Sequence, residues 1–384
     1  MDEAESNALL TLMITPGLGH GLIGRCIDRF GCAAATLSAT TDQLKQIDGI
    51  SSTKAAQVRR DLGRLADGTE LAQERQWIER VNATLLTLED PGYPKLLRLI
   101  PDPPRLLYVR GQLQDEDALA LAVVGSRQCT HYGREQAERL SFQCAQAGLC
   151  IVSGGAYGID AAAHRAALRA GGRTIVVVGS GLAEPYPDRH AELYDQIADG
   201  RGAVLSEFPM TTPPIPENFP RRNRVISGLS LGVLVVEAAS RSGALITARL
   251  CVEEHGREVM AVPGRVDSPT SAGCHKIIRE GWATLVTNAA DILDALGDAG
   301  QLLKAGVSAD AALVSTEVRD PPPLFTQNLS DSQRRIVEAL DETRGVDQLA
   351  AATGLKVSVV QSDLTMLQIR GLVQRRGGRF ARKR

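Results

Sequence analysis

The sequence predicts an α/β protein with a doubly wound, Rossmann-like core. A helical domain precedes this core and a winged helix follows it. Three observations predict the core: apolar runs typical of strands, small-residue turns at their ends, and helical patterns after those turns. Parallel strands that feed helices produce this order. The clearest runs span residues 122–124, 150–152 and 174–178, and they end in Gly125-Ser126-Arg127, Ser153-Gly154-Gly155 and Gly179-Ser180-Gly181.

The alternation of strands and helices extends from residue 80 to residue 297, which we expect to form one domain. Helices are expected where apolar residues recur with the helical period. Edge strands are expected at residues 85–88 and 106–109. The remaining expected elements are strands at residues 204–206, 233–236, 259–262 and 284–286, and helices at residues 132–147, 159–170, 190–198 and 244–255.

Residues 1–75 are expected to form a helical domain of the helix-hairpin-helix (SAM-like) type. Glycine turns at Pro16-Gly17-Leu18-Gly19 and Ile47-Asp48-Gly49-Ile50 precede helical patterns at residues 22–30 and 53–62. Such turns present backbone N–H groups that can bind a DNA phosphate. The same units also serve as packing or protein-contact modules, so both interpretations stay open.

The C-terminal part of the chain predicts a linker and a winged helix. Residues 298–325 lose periodicity and end in Asp320-Pro321-Pro322-Pro323, which is typical of a semi-rigid linker. Residues 326–384 show the helix, turn, helix and hairpin pattern of a winged helix, whose second helix usually binds duplex DNA. Protein contact is the alternative, because the second helix offers a weak set of base-reading side chains: Lys356, Ser358, Gln361, Ser362 and Asp363.

Composition excludes several classes of protein. No apolar stretch approaches the length of a membrane span, and the N-terminus lacks the basic start of a signal peptide. The seven cysteines include no Cys-x-x-Cys pair, which argues against a zinc site or a disulfide framework and favours the cytoplasm. The net charge is −2, but residues 326–384 carry 11 basic and 6 acidic side chains, which suggests a polyanionic or acidic partner. A solvated basic terminus explains this charge equally well.

The carboxyl edge of the predicted sheet is the expected ligand site, because turns at that edge expose backbone N–H groups. Helix N-termini at the same edge favour anions. Gly125 would let a phosphate approach closely, Ser126 can donate a hydrogen bond, and Arg127 can form a forked, charge-assisted contact. In the alternative interpretation this turn is only a tight strand exit, and Arg127 pairs with a carboxylate.

A second candidate loop spans residues 153–160, between a strand and a helix. It lacks the Gly-Lys-Ser/Thr of a P-loop and does not follow the Gly-x-Gly-x-x-Gly pattern, so nicotinamide binding is disfavoured and no cofactor is expected. Asp160 is expected to cap the following helix rather than to contact a ligand. The residues expected to cradle phosphate are Ser153, Gly154, Gly155 and Gly158.

A cluster of cations lies at a predicted loop-to-helix junction, residues 218–230. Cations at a helix start oppose the helix macrodipole, so an anionic ligand would explain them. A buried partner such as Glu207 or Glu237 is the competing explanation. The cluster contains Arg221, Arg222, Asn223 and Arg224.

The strand at residues 233–236 is also followed by a small-residue turn and a helix, and we expect Arg241, Ser242, Gly243 and Thr247 to contribute to the anion site. Ser242 and Thr247 can either bind phosphate or cap the helix. Glu237 is a lone carboxylate at the strand end. No second carboxylate or histidine is obviously paired with it, so acid–base catalysis is the less favoured interpretation.

Together these segments resemble the DNA-processing protein A family (DprA, also called Smf) over about residues 90–290, and the flanking domains also agree with family members. The most specific match is Phe-Pro-x-Arg-Asn-Arg-x-Ile-Ser-Gly-Leu at residues 219–229. The other matching pieces are Gly125-Ser126-Arg127, residues 153–160, Gly179-Ser180-Gly181-Leu182, Tyr186-Pro187, residues 206–209, residues 237–248, Pro263-Gly264 and residues 273–281.

The resemblance implies a cytoplasmic protein, not an enzyme, that binds single-stranded DNA, protects incoming strands and helps to load RecA during natural transformation. It also implies a homodimer formed through the Rossmann-like domain, with the Gly-Ser-Arg arginine, here Arg127, in contact with the strand. Family members often have a lysine beside the Tyr-Pro motif, where this chain offers Arg189. The chain also has His275 where many members have Asn, and Trp282 where they have a small residue.

Two other functions are considered. The predicted sheet also resembles that of nucleotide-cleaving phosphoribohydrolases, with Glu237 as the acid, although the Pro-Gly-Gly-x-Gly-Thr loop of those enzymes is absent. A transcription regulator led by the winged helix is the third hypothesis. For strand binding, charge is expected to outweigh base stacking, since few aromatic residues lie near the motifs.

Overall fold

A computed structural model describes residues 3–301, 303, 330–340, 343–357, 359, 360, 363, 364, 367, 372–376 and 379–382. The chain divides into two compact units, Met1–Asp310 and Ala311–Arg384. The first unit contains a nine-stranded sheet with helices on both faces. Its strands are β1 (Ala83–Thr87), β2 (Leu106–Gly111), β3 (Ala120–Val124), β4 (Cys150–Ser153), β5 (Thr174–Val177), β6 (Gly202–Ser206), β7 (Gly232–Val235), β8 (Glu258–Ala261) and β9 (Thr284–Leu285).

The strand order is β1-β2-β6-β5-β4-β3-β7-β8-β9. All neighbours from β6 to β9 are parallel, while β2 pairs antiparallel with β6 and β1 antiparallel with β2. The chain builds outward from β3 in one direction through β4, β5 and β6, and then returns to add β7 on the other side of β3. The β3–β7 boundary is therefore the topological switch point, where ligands collect in open α/β sheets. The doubly wound core predicted from the sequence is confirmed.

Alternating side chains of each central strand pack on opposite faces of the sheet, as the two-residue period of a strand requires. In β3, Ala122 and Val124 pack under one set of helices, whereas Leu121 and Val123 pack under another. Both faces are apolar because both are covered. The helices of this domain are α7 (Lys95–Arg98), α8 (His131–Gln146), α9 (Ile159–Arg169), α10 (Ala191–Ala198), α11 (Asn218–Leu229), α12 (Gly243–Glu253), α13 (Ala272–Arg279) and α14 (Ala289–Ala295).

The N-terminal helices belong to the same compact unit as the sheet. Leu10, Leu12 and Ile23 share one buried apolar cluster with Tyr108 and Val204 of the sheet. The helical region runs past residue 75, where the sequence placed its end, because the last helix continues to Arg80. These helices are α1 (Glu3–Ile14), α2 (His20–Phe30), α3 (Ala33–Ser38), α4 (Thr41–Leu44), α5 (Ser52–Leu65) and α6 (Thr69–Arg80).

The second unit contains helix α15 (Asp331–Glu338), helix α16 (Val346–Thr353) and a hairpin of strands β10 (Val373–Arg376) and β11 (Arg379–Arg382). Ser330 caps the first helix, and Gly354 ends the second in the left-handed conformation. Most of the expected linker, residues 298–325, lies outside the described residues, as do Ser358, Gln361 and Ser362. Among the described residues, no helix is long and apolar enough to cross a membrane.

Candidate nucleic-acid interface

A cleft of about 580 Å³ opens at the switch point, and we call it the first cleft. Its walls come from the turn after β3, the turn after β7 and the first turns of α11 and α12. Eight of the fourteen residues that the sequence predicted for the site line it together. These residues are Gly125, Ser126, Arg127, Arg222, Asn223, Ser242, Gly243 and Thr247.

The turn after β3 is packed tightly between two neighbouring elements. A Cβ atom added to Gly125 would lie 2.6 Å from Ile159 Cγ1 and 3.0 Å from the Glu237 carbonyl oxygen. The Ser126 amide donates to that same carbonyl at 2.7 Å, and the Ile159 amide donates to the Ser126 carbonyl oxygen. Glycine is therefore needed because the strand exit passes directly between β7 and the start of α9.

Arg127 is the exposed cation of this cleft, and it has no ion pair within the described part of the chain. Its guanidinium lies 4.9 Å from the ring centroid of Phe219, a cation–π contact that holds the charge at the cleft wall. Tyr186 stands beside Phe219, with ring centroids 5.7 Å apart, and is 37% exposed. Neither ring was predicted as a site residue, because both join the cleft only through the tertiary fold.

The glycine loop after β4 lies beneath the first cleft instead of lining it. Only Ala156 and Asp160 of residues 153–160 reach the cleft surface. The carbonyl of Gly154 accepts a hydrogen bond from Arg222 at 2.8 Å, and that of Gly155 accepts from His190 Nδ1 and Tyr194. These buried donors orient the loop from below. The residues expected at the surface but found in this supporting layer are Ser153, Gly154, Gly155 and Gly158.

Arg222 is buried and has a structural role, so it is not available as a cation for a ligand. It is 3% exposed, and its guanidinium donates to the carbonyls of Gly154 and Val177. Burial lowers the pKa of this guanidinium to about 10, against the opposing charge of Asp160. The sequence predicted an anionic ligand or a carboxylate partner, but backbone carbonyls hold this side chain.

Arg224 faces a different region, which disagrees with its expected place in the phosphate site. It forms ion pairs with Glu207 at 2.5 Å and with Asp102 at 3.5 Å. Glu207 is the partner that the competing interpretation of the sequence named. Arg241 is exposed and does not line the first cleft, so it too stands apart from the group assembled there.

The start of α12 supplies the other anion-suited group. Ser242 accepts a hydrogen bond from the Ala244 amide and so caps the helix, while also lining the cleft. The first turn of α12 contains no acidic residue. Helix N-termini of this kind attract phosphates through their free N–H groups and the helix dipole.

Two carboxylates near the cleft are committed to the fold. Glu237 is 2% exposed and accepts hydrogen bonds from the Thr130 amide at 2.8 Å, the Thr130 hydroxyl and the Thr270 hydroxyl. It does not line the first cleft. Asp160 accepts from the Ala156 amide and closes the glycine loop, and burial raises its pKa while Arg222 opposes that shift.

Two of the positions where this chain departs from the expected family pattern lie outside the first cleft. Arg189 is exposed on the surface. His275 bonds the backbone of Gly264 through Nε2, at 3.1 Å from its carbonyl oxygen. The substituted histidine thus supports a neighbouring loop.

Comparison with known proteins establishes the family. The family model described as "DNA recombination-mediator protein A" matches residues 84–297, which is more than half of the chain. The chain belongs to this family. The model described as "DprA winged helix domain" matches residues 319–379, which confirms the winged helix predicted from the sequence.

Relatives with this family's names extend over most of the chain. Protein Smf of Escherichia coli is 40% identical over 308 residues, which cover 80% of this chain and 79% of that protein. The DNA processing protein DprA of Streptococcus pneumoniae is 46% identical over 204 residues, covering 53% of this chain and 71% of the relative.

Solved structures agree with the fold. The X-ray structure of DprA from Streptococcus pneumoniae has a TM-score of 0.66 at 36% identity and covers 75% of this chain and 97% of that one. DNA processing protein A from Helicobacter pylori has a TM-score of 0.51 at 30% identity, covering 59% of this chain and 98% of that one. The structure of the Helicobacter protein concerns its single-stranded DNA binding mode.

Proposed function

We propose that this protein binds single-stranded DNA in the first cleft, protects incoming strands and helps to load RecA on them during natural transformation. One observation carries the binding proposal. An exposed arginine, Arg127, is held over an aromatic ring beside the start of α12, which has no acidic residue in its first turn. The single-stranded DNA binding described for the Helicobacter relative supports the same ligand.

The chemistry of the cleft suits a strand without sequence preference. Arg127 and the α12 N-terminus offer charge and N–H donors to phosphates, which every sequence presents. Tyr186, which is 37% exposed beside Phe219, offers a ring on which any base can stack, while Phe219 holds Arg127 at the cleft wall. Stacking therefore contributes alongside charge in this proposal, which gives the rings more weight than the sequence motifs alone suggested.

The proposed role is mediation by binding, without catalysis. The carboxylate on which a phosphoribohydrolase mechanism would depend, Glu237, is buried under three hydrogen-bond donors. A general acid must reach the leaving group directly or through one water molecule. Release of free base from a nucleoside monophosphate by the purified protein would contradict this part of the proposal.

We further propose a homodimer formed through the Rossmann-like domain. β9 is an edge strand of the sheet, and its Leu285 is 48% exposed. Two first clefts in one dimer would bind a single strand far more tightly than either alone, because the second contact is intramolecular. Sedimentation analysis of the full chain would test this assembly.

The binding proposal is tested by titrating fluorescent single-stranded and duplex oligonucleotides over a salt series. Arg127→Ala is expected to weaken single-strand affinity about tenfold or more, because it removes a charge-assisted phosphate contact. The slope of log affinity against log salt should become shallower by roughly 0.7 for each phosphate that the variant no longer neutralises. Tyr186→Leu, which removes an exposed ring and no charge, should weaken affinity and leave that slope nearly unchanged.

Arg249→Ala is the matched control, since Arg249 lies on exposed α12 surface and pairs with Glu253. It should bind like the unaltered protein. Equal affinity of Arg127→Ala and the unaltered protein at moderate salt would overturn the proposal. RecA loading is measured separately, as faster filament nucleation on strands already covered by a single-strand binding protein.

A further inference from the structure

A second, larger cleft of about 1020 Å³ lies where the N-terminal helices meet the sheet domain, and we call it the second cleft. One wall is the first glycine hairpin, with Gly17 and Gly19, together with Lys54 of α5. The opposite wall includes Arg221 of α11. All of these residues belong to the first compact unit.

The second cleft adjoins the first. Pro220 lines both clefts, so the first turns of α11 form the ridge between them. Residues of this helix alternate by the helical period. Phe219, Arg222 and Asn223 face the first cleft, and Asn218, Arg221 and Arg224 face the second.

Positive charge is available at the rim of the second cleft. Arg224 is neutralised by Glu207 and Asp102, both of which also line the cleft. Lys54 and Arg221, in contrast, have no ion pair within the described residues. The opposing carboxylate at the rim is Glu254. A phosphate backbone would therefore meet two uncommitted cations on opposite walls.

Two helices that begin at this rim do so without the acidic residues that would stabilise them. α2 begins after Gly19, which makes no side-chain cap, and its first turn contains no acidic residue. α5 begins after Ser51, with Lys54 where a glutamate would complete a capping box. The uncapped start of α2 and the lysine in the first turn of α5 both leave the rim positive, and both make their helix less stable.

The floor of the second cleft carries buried polar atoms. The side chains of His20 and Glu207 are 9% and 1% exposed. His20 Nδ1, Glu207 Oε1 and Arg224 Nη1 have no hydrogen-bond partner within the described residues. Buried polar atoms normally have partners. A set of donor and acceptor atoms complements the edge of a nucleobase, which also presents both donors and acceptors.

We propose that the second cleft continues the strand-binding path. A single DNA strand leaving the first cleft crosses Pro220, lays its next phosphates against Lys54, Arg221 and the Gly17–Gly19 hairpin, and brings a base toward the cleft floor. This inference rests on the proposed function and adds a second site to it. It also gives the N-terminal hairpin a DNA-contacting role.

The test uses Gly19→Asp and Lys54→Glu in the full chain, with oligonucleotides of about 5 and about 15 nucleotides, which lie near the two ends of the usual range of single-strand site sizes. Gly19 has φ −87, and an added Cβ meets no atom within 4 Å, so aspartate fits and caps α2. Lys54→Glu completes the capping box of α5. Both variants should unfold at the same or a higher temperature than the unaltered protein.

Each variant is expected to lose about fivefold to tenfold in affinity for the long oligonucleotide, because a phosphate contact becomes a repulsion. Affinity for the short oligonucleotide should be unchanged. Gly63→Asp is the matched control. It makes the same substitution at an exposed position of α5 where an added Cβ also meets nothing, and it should bind both lengths normally.

Unchanged affinity for the long oligonucleotide would overturn the inference. An equal loss of affinity at both lengths would also overturn it, because that result indicates only a change in the net charge of the protein. A loss confined to duplex DNA would assign the hairpin to a different ligand and would also overturn it. Should a charged variant unfold, Lys54→Gln replaces it, with a smaller loss expected for the long oligonucleotide alone. Failure of the proposed function is distinguishable, since Arg127→Ala would then leave short-oligonucleotide binding intact.

Discussion

At the residue scale, three arginines of similar appearance in the sequence have three different roles. Arg127 is exposed and stacks on Phe219, whereas Arg222 is buried and bonds backbone carbonyls. Arg224 pairs with Glu207 at the floor of the second cleft. Their partners lie on separate segments: Phe219 is in α11, the carbonyls that hold Arg222 follow β4 and end β5, and Glu207 follows β6. No local pattern therefore distinguishes the three side chains.

His164 is a second residue whose surroundings determine its chemistry. It is fully buried, and its Nδ1 lies 2.7 Å from the Thr174 hydroxyl. That hydroxyl donates its one proton to the Ile151 carbonyl, so its oxygen accepts from His164 and Nδ1 carries the proton. The remaining nitrogen, Nε2, has no partner among the described residues. Burial, with smaller contributions from His190 and Arg165, lowers the pKa of His164 to about 3.

The pKa of His164 predicts that stability falls as the solution is acidified. The folded pKa lies below the unfolded value of 6.5, so the contribution is fully present above pH 6.5 and is lost as pH falls toward 3. Between pH 6.5 and pH 5 the loss should be about 2 kcal/mol. Denaturant unfolding at several pH values measures it.

His164→Asn is the comparison variant, since its amide can replace Nδ1 without titrating. His255, whose pKa burial lowers to about 4, contributes in the same window and is common to both proteins. The difference between the two profiles therefore isolates His164. Parallel profiles from pH 6.5 to pH 5 would contradict the prediction.

At the element scale, the turn after β3 and the loop after β4 interlock. Gly158 has φ +76, and a Cβ atom there would lie 2.3 Å from the Ser126 carbonyl oxygen. The position thus combines a positive φ, which favours glycine, with close contact against the Gly-Ser-Arg turn. The two loops form one unit that presents Arg127.

Gly158→Ala is therefore expected to destabilise the protein by several kcal/mol and to weaken strand binding, because the backbone of the neighbouring turn must move. Gly171→Ala is the matched control. Gly171 has φ +72, but nothing lies within 4 Å of an added Cβ. It should cost only about 1 kcal/mol, the penalty of the conformation itself. Thermal unfolding measures the stability of both variants. Equal losses of stability in Gly158→Ala and Gly171→Ala would show that the two loops do not interlock.

At the scale of the whole molecule, the N-terminal helices are joined to the sheet by a buried polar contact as well as by the shared apolar cluster. Glu74 of α6 is 5% exposed. Its Oε1 accepts from the Tyr108 hydroxyl at 2.7 Å and from the Met210 amide at 2.8 Å. Burial raises the pKa of Glu74, which these two donors partly oppose. One oxygen atom therefore connects three segments of the chain.

Glu74→Gln should unfold within about 1 kcal/mol of the unaltered protein, because the amide oxygen can accept both hydrogen bonds. Glu74→Ala should cost about 2 to 4 kcal/mol, since it leaves a buried hydroxyl and a buried amide without a partner. Denaturant titration, monitored by the fluorescence of Trp77 and Trp282, measures the unfolding of both variants. A small loss for Glu74→Ala would show that apolar packing alone docks the helices.

The sequence predicted most of the elements because the strands and their glycine turns are local patterns. Residues 204–206 were expected as a strand and lie within β6. The beginning of α11 was less well predicted, because Pro220 suggests a loop. Proline is nevertheless tolerated in the first turn of a helix, since the backbone N–H that it lacks would have no partner there. α6 was missed because a carboxylate, Glu74, occupies its buried face and interrupts the apolar period.

The sequence by itself determined the alternation of strand and helix, the glycine turns at the strand ends, the family and the presence of a cationic edge. Only the tertiary structure decided which of those cations is free, which glycines lie beneath the surface, and how Pro220 joins two clefts. The physical reason is that backbone conformation depends on neighbouring residues. Burial and pairing depend instead on segments brought together across the sheet.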